Sequence, residues 1–178
     1  LMVFMTYQFF WGTTMVTKVN TTAADTGIPL TERYDTASQF LPEKTLQAMQ
    51  DCEGKANEYS DDLTVNTVYD CSLLTSAMSD APKLGSSTIY NMYWIPGDDA
   101  KEARDRFEAG KANKAPQKER IQKSFRNTPE VGYALTETGS GFVYAYYPRQ
   151  KFTLYFETSY DATPDQVKEL TKYLGWTS

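Results

Sequence analysis

Histidine is absent from this chain and cysteine occurs twice, at Cys52 and Cys71, so the remaining reactive groups are carboxylates, Lys, Arg and thirteen Tyr. Without an imidazole there is no Ser-His-Asp or Cys-His couple, no histidine-built zinc site and no histidine switch near neutral pH. An enzyme would have to use two converging carboxylates, as glycosidases do, or a lysine, a tyrosine or a cofactor. No phosphate-loop, dinucleotide-binding or calcium-loop pattern is present to hold a cofactor or metal. The two cysteines belong to no CxxC motif and have no third thiol beside them. Their chemistry is therefore a structural disulfide, Cys52–Cys71, with two separate buried thiols as the alternative.

A disulfide requires elements that bring residues 52 and 71 together. Pro42 heads an apolar repeat of Leu46, Met49, Ala56 and Tyr59, which predicts a helix. The polar break Ser60-Asp61-Asp62 can cap a second helix reaching about Met78, although the β-branched run Thr64 to Val68 leaves a strand open there. As a helical hairpin turning at Asp61, the pair would lie nine and ten residues from the turn. At about 1.5 Å per residue both then stand about 14 to 15 Å from it, matched in height for a bridge worth roughly 3 kcal/mol.

Residues 1–17 contain no charge, and Lys18 is the first charged residue. The run is shorter than the roughly 20 residues of a transmembrane helix and is interrupted by Gln8, Gly12, Thr13 and Thr14. It reads as a membrane or assembly anchor, with Phe4, Tyr7, Phe9, Phe10 and Trp11 as the anchoring side chains. A core element or a signal-peptide remnant is the alternative. Residues 18–31 follow as a linker, and 32–178 as a single extracytoplasmic domain; an oxidising compartment suits the disulfide.

The 178 residues carry a net charge of −5, with a pI near 4.8, which argues against nucleic acid as a partner. Asp98 to Arg126 nevertheless holds nine Lys/Arg and six acids. Its bland reading is a solvated helical face; its functional reading is a docking surface for other protein subunits, of the same or a different kind. Arg104, Lys111 and Lys118 are its candidate interface residues. Asp98 or Asp99 starts a helix carrying Ala100, Ala103 and Phe107 on one side, and Pro116 starts a short one with Ile121 and Phe125 at i, i+4.

Ser87 to Ile95, ending at Pro96-Gly97, reads as a strand. Beyond Pro129 the hydrophobic period becomes two. Val131 to Leu135, Phe142 to Tyr147 and Phe152 to Phe156 form a three-stranded meander to which the Ser87 strand adds a fourth member. Tyr146, Tyr147 and Tyr155 are candidate interface residues on that sheet, where an aromatic body and a polar tip are both useful. Thr163-Pro164-Asp165-Gln166 is a capping box that launches a helix with Val167, Leu170 and Leu174 on one face, ended by Gly175. The expected fold is α+β: the apolar anchor, a disulfide-tied helical hairpin, and a four-stranded antiparallel sheet covered on one face by helices including the C-terminal one.

Asp25-Thr26-Gly27 resembles the catalytic triplet of aspartic proteases, but Thr21-Thr22-Ala23-Ala24 precedes it in place of an apolar strand, and its ordinary role is a turn. An apolar N-terminus before an antiparallel sheet is similar in layout to pilin-type filament subunits, which carry a glutamate for assembly where this chain has Met5. The expected function is a non-catalytic exported subunit of an envelope or surface assembly, requiring no cofactor or metal and held to the membrane through residues 1–17. An extracytoplasmic ligand-, carbohydrate- or peptide-binding domain and a carboxylate-dependent hydrolase are the other two classes.

Overall fold

The aromatic period-two segments form the centre of one antiparallel sheet. In the computed structural model, which describes residues 41–56, 59–60, 63–64, 67–73, 78–85, 91–113 and 115–178, the meander is β7 (Glu130–Leu135), β8 (Gly141–Tyr147) and β9 (Phe152–Thr158). β5 (Asn91–Pro96) pairs with β9, Trp94 opposite Leu154 and Pro96 opposite Phe152, and so joins the meander as its sequence suggests. The apolar segment 1–17, with Phe4, Tyr7, Phe9, Phe10 and Trp11, and the linker 18–31 lie outside the described residues. Among the described residues no helix is long and apolar enough to cross a membrane.

The sheet has seven strands and not four, because two segments with helix-like spacing are strands. Pro42 does precede a helix, α1 (Glu43–Ala48), but the chain turns extended at Met49 and continues as β1 (Met49–Ala56). β1 pairs antiparallel with β4 (Thr67–Leu73). A separate two-stranded piece, β2 (Tyr59–Ser60) with β3 (Leu63–Thr64), lies in the connection between them. The expected helical hairpin is therefore a β-hairpin. The β-branched and aromatic stretch Thr67-Val68-Tyr69 favours strand, and each strand completes the other's backbone hydrogen bonds. Cys52 and Cys71 do form the disulfide, with Cα atoms 3.9 Å apart across the hairpin beside a bulge between Gln50 and Glu53. The pairing was legible from the sequence, although the helical geometry that suggested it is not what closes it.

The second reassigned segment is β6 (Gln117–Gln122), a strand where Ile121 and Phe125 suggested a helix. It pairs with β7 at the sheet edge, with a bulge between Arg120 and Gln122. Its charges belong to a strand that must not recruit another sheet: a bulge and Lys, Glu and Arg side chains are common ways to blunt an exposed edge. The full order is β1-β4-β5-β9-β8-β7-β6, with every neighbouring pair antiparallel.

Helices cover both faces of the sheet, a further departure from the one-sided cover expected. The reason lies in strands that are apolar at successive positions, so that neither face is left polar. Phe142, Tyr144 and Tyr155 join Val68 and Ile95 in a core with Ala103 and Phe107 of α2 (Asp99–Asn113). The Phe107 ring stands 4.6 Å from Tyr155 and 4.8 Å from Phe142. On the other face Val143, Leu154 and Phe156 pack with Val167, Leu170 and Leu174, which project from α3 (Pro164–Tyr173) and its end, and with Trp176. The capping box is present as read, Thr163 Oγ1 accepting from Gln166 N–H. α1 is fastened to the end of α3 by Thr45, whose buried hydroxyl donates to Leu174 O at 2.8 Å and accepts from Trp176 Nε1 at 3.0 Å.

Candidate functional site

The charged middle of the sequence resolves into a tie between α2 and the sheet. Arg104 leaves α2 on the side of Phe107, and its Nη1 donates to both oxygens of Glu130, at 2.8 and 3.0 Å. Glu130, at the start of β7, is 5% exposed. Arg120 of β6 reaches the same carboxylate at 3.4 Å and donates to Glu108 at 2.5 Å. Tyr144 crosses from β8 over Gly132, where an added Cβ would come within 2.5 Å of its hydroxyl, and that hydroxyl donates to Glu130 at 3.4 Å. The guanidinium of Arg104 lies 4.9 Å over the Tyr146 ring. Burial works against the charge on Arg104, but the hydrogen bond and charge of Glu130 outweigh it and hold its pKa above the ordinary value. Burial, then the negative Glu130, pushes the Tyr144 phenol up, so it stays a donor. This carboxylate accepts from the Arg104 guanidinium and the Tyr144 phenol and pairs in charge with Arg120, so its oxygens serve as structural acceptors.

The proposed interface residues therefore divide. Arg104 and Tyr146 belong to this tie, while Tyr147 and Tyr155 are 1% and 8% exposed and belong to the core. Lys111 lies within α2, and exposed Lys118 donates from β6 to Ala109 O at 3.3 Å. Because both sheet faces carry helices, the buried tyrosines offer no stacking surface for sugars or bases. Among the described residues no group of three or more carboxylates or thiols is placed to hold a metal.

A different surface has the properties of a docking site. β6 and β7 are joined by residues 123–129, and Phe125 at that tip is 68% exposed. The tip is fixed: Phe125 N–H donates to Thr128 O, Thr128 N–H to Phe125 O at 3.0 Å, and Thr128 Oγ1 to Phe125 O at 2.7 Å. Arg126, with φ of 56°, makes the left-handed turn and sets its guanidinium 5.2 Å from the centre of the Phe125 ring. At the same end of the sheet, Pro148-Arg149-Gln150-Lys151 turns β8 into β9, and Gln150 Nε2 donates to Asn127 Oδ1 at 3.1 Å, tying the two tips together. Together the tips carry Lys123, Arg126, Arg149 and Lys151 and no acid, in a chain whose net charge is −5. Lys151 is 3.7 Å from Asp98, but both side chains are well exposed, and such pairs contribute little.

The i, i+4 spacing of Ile121 and Phe125 predicts one side of a short helix, whereas the structure sets Ile121 in β6 and Phe125 on an exposed turn. The available signal was compositional: two turn segments, one aromatic, each with two cations and no acid. No protein-family model, curated protein or solved structure matches the chain.

Proposed function

We propose that the protein is a non-catalytic exported subunit that binds other protein, through the Phe125 tip, within a larger assembly. In this reading the apolar residues 1–17 hold it in a membrane or in a neighbouring subunit. One observation carries the proposal: a phenyl side chain held in the open on a hydrogen-bonded turn, with the Arg126 guanidinium beside it and a second cationic turn tied to its own. Removing a phenyl side chain fully from water is worth roughly 2 kcal/mol, most of which the free protein leaves unused at Phe125. Aromatic and arginine side chains are also those that most often dominate protein interfaces. The cations direct that binding toward an acidic surface. The disulfide supports an oxidising, extracytoplasmic setting.

The test is the native mass of the protein gently extracted from its source, with and without cross-linking. A discrete larger assembly is expected, and Phe125→Ser combined with Arg126→Ser should dissolve it while leaving thermal unfolding unchanged. A truncation starting near Asp25 should fold yet be lost from the assembly. A monomer in the native extract would overturn the proposal.

A further inference from the structure

The opposite end of the sheet carries the reverse charge. Residues 136–140, the β7–β8 turn, and residues 157–167 hold Glu137, Glu157, Asp161 and Asp165 and no lysine or arginine. All four acids are exposed. These segments are also tied to each other, Asp161 N–H donating to Thr138 O at 2.6 Å and Thr158 Oγ1 to Gly139 O at 2.8 Å. Tyr160 stands among them, 63% exposed. Gly85 packs on this end and brings Lys83 near in sequence, which leaves the end net negative. Among the described residues, the exposed large hydrophobics are Phe125 and Tyr160, which stand at opposite ends of the strands, one among cations and the other among acids.

The separation keeps the two ends distinct. β8 spans the distance with seven residues. At about 3.3 Å per residue that is about 20 Å, more than twice the Debye length of about 8 Å at physiological salt. Neither end cancels the other's potential in solution.

We infer that the Phe125 tip docks on the acidic end of a second copy of this chain, so that protomers join head to tail along the strand direction. The inference rests on the reading of the protein as an assembly subunit and names the partner. Symmetric pairing through either end alone would set cation against cation or acid against acid. Head-to-tail pairing sets unlike charges together and buries one aromatic side chain from each end. Such a contact is heterologous: each added protomer presents a fresh basic end, so growth continues unless the rotation closes a ring.

The experiment uses the full chain, disulfide intact, in mild non-ionic detergent, with its mass followed by sedimentation velocity. The average mass of the native sequence should rise with concentration and fall as salt is added. Arg126→Glu with Arg149→Glu cancels the charge of the basic tips, and Glu137→Lys with Asp161→Lys cancels that of the acidic segments, so each double variant keeps one native end. Each double variant alone should self-associate at least tenfold more weakly, and mixing the two should restore one contact, read as a dimer of the two variants. Restoration requires both to be folded, so misfolding cannot imitate it. A native sequence that stays monomeric at every concentration, or a mixture that stays monomeric while both variants melt like the native chain, overturns the inference. If the purified chain is monomeric while the extracted protein sits in a mixed complex that the Phe125 variant dissolves, the partner is another protein. The broader reading then survives and this one fails; a monomeric extract defeats both.

Discussion

Glu130 sits where one helix and three strands share a charge. Its side chain is 7% exposed and that of Arg104 14%, so neither partner can recover much hydration if the other is removed. Breaking a buried pair from one side is far more damaging than breaking a surface pair. Glu130→Gln should therefore destabilise the fold by about 3 kcal/mol in urea titration. Arg120→Ala, at a side chain 35% exposed, should cost less than about 1 kcal/mol. Equal losses would mean that Glu130 is not the centre of the tie. The sequence offered no route to this pairing, because Arg104 and Glu130 are 26 residues apart and meet only when α2 lies on the sheet. The cysteines, at a separation of 19, were legible because they had no alternative partner.

The disulfide acts on β1 and β4, which form one edge of the sheet. Closing a loop of this length restricts the unfolded chain by about 3 kcal/mol in the entropy model. Replacing Cys52 and Cys71 together by serine should lower the free energy of unfolding by about that amount, read from denaturant midpoints at an unchanged slope. A loss below about 1 kcal/mol would show that the denatured chain already holds the hairpin. The elements that were legible carry their instructions locally. α3 has its capping box and a single apolar stripe, and β7 to β9 are short β-branched and aromatic runs bounded by turn residues. β6 and the β1–β4 hairpin do not: short apolar spacings there fit a helix as well as a strand, and the decision comes from neighbouring strands that supply the hydrogen bonds.

At the scale of the whole molecule, burying tyrosine on both faces of the sheet sets an alkaline limit to stability. Burial, then the hydrogen bond and charge of Glu119, pushes the Tyr133 phenol from 10.0 up to about 12. Burial raises Tyr144 and Tyr147 as well. Unfolded tyrosines release their protons near pH 10, whereas these three keep theirs in the folded chain. The folded state then binds more protons, so stability is fully present below pH 10 and falls as pH rises through the folded values. Ultraviolet titration should show a late group, Tyr133, Tyr144 and Tyr147, released only on alkaline unfolding. One smooth transition near pH 10, with circular dichroism unchanged, would contradict the burial of these phenols.

The place of β9 in the strand order has a consequence for how the chain is made. It lies between β5 and β8, so β1, β4 and β5 form one half-sheet, β8, β7 and β6 another, and the last of these strands in chain order joins them. Until residue 158 has emerged, the ladder edge of Asn91-Met92-Tyr93-Trp94-Ile95 has no mate in its own chain. Contacts that close so late in sequence form slowly, and an unmated apolar strand invites the wrong partner. The β5 edge therefore stays open until β9 is in place, and one insertion between β5 and β8 then closes two half-sheets into one.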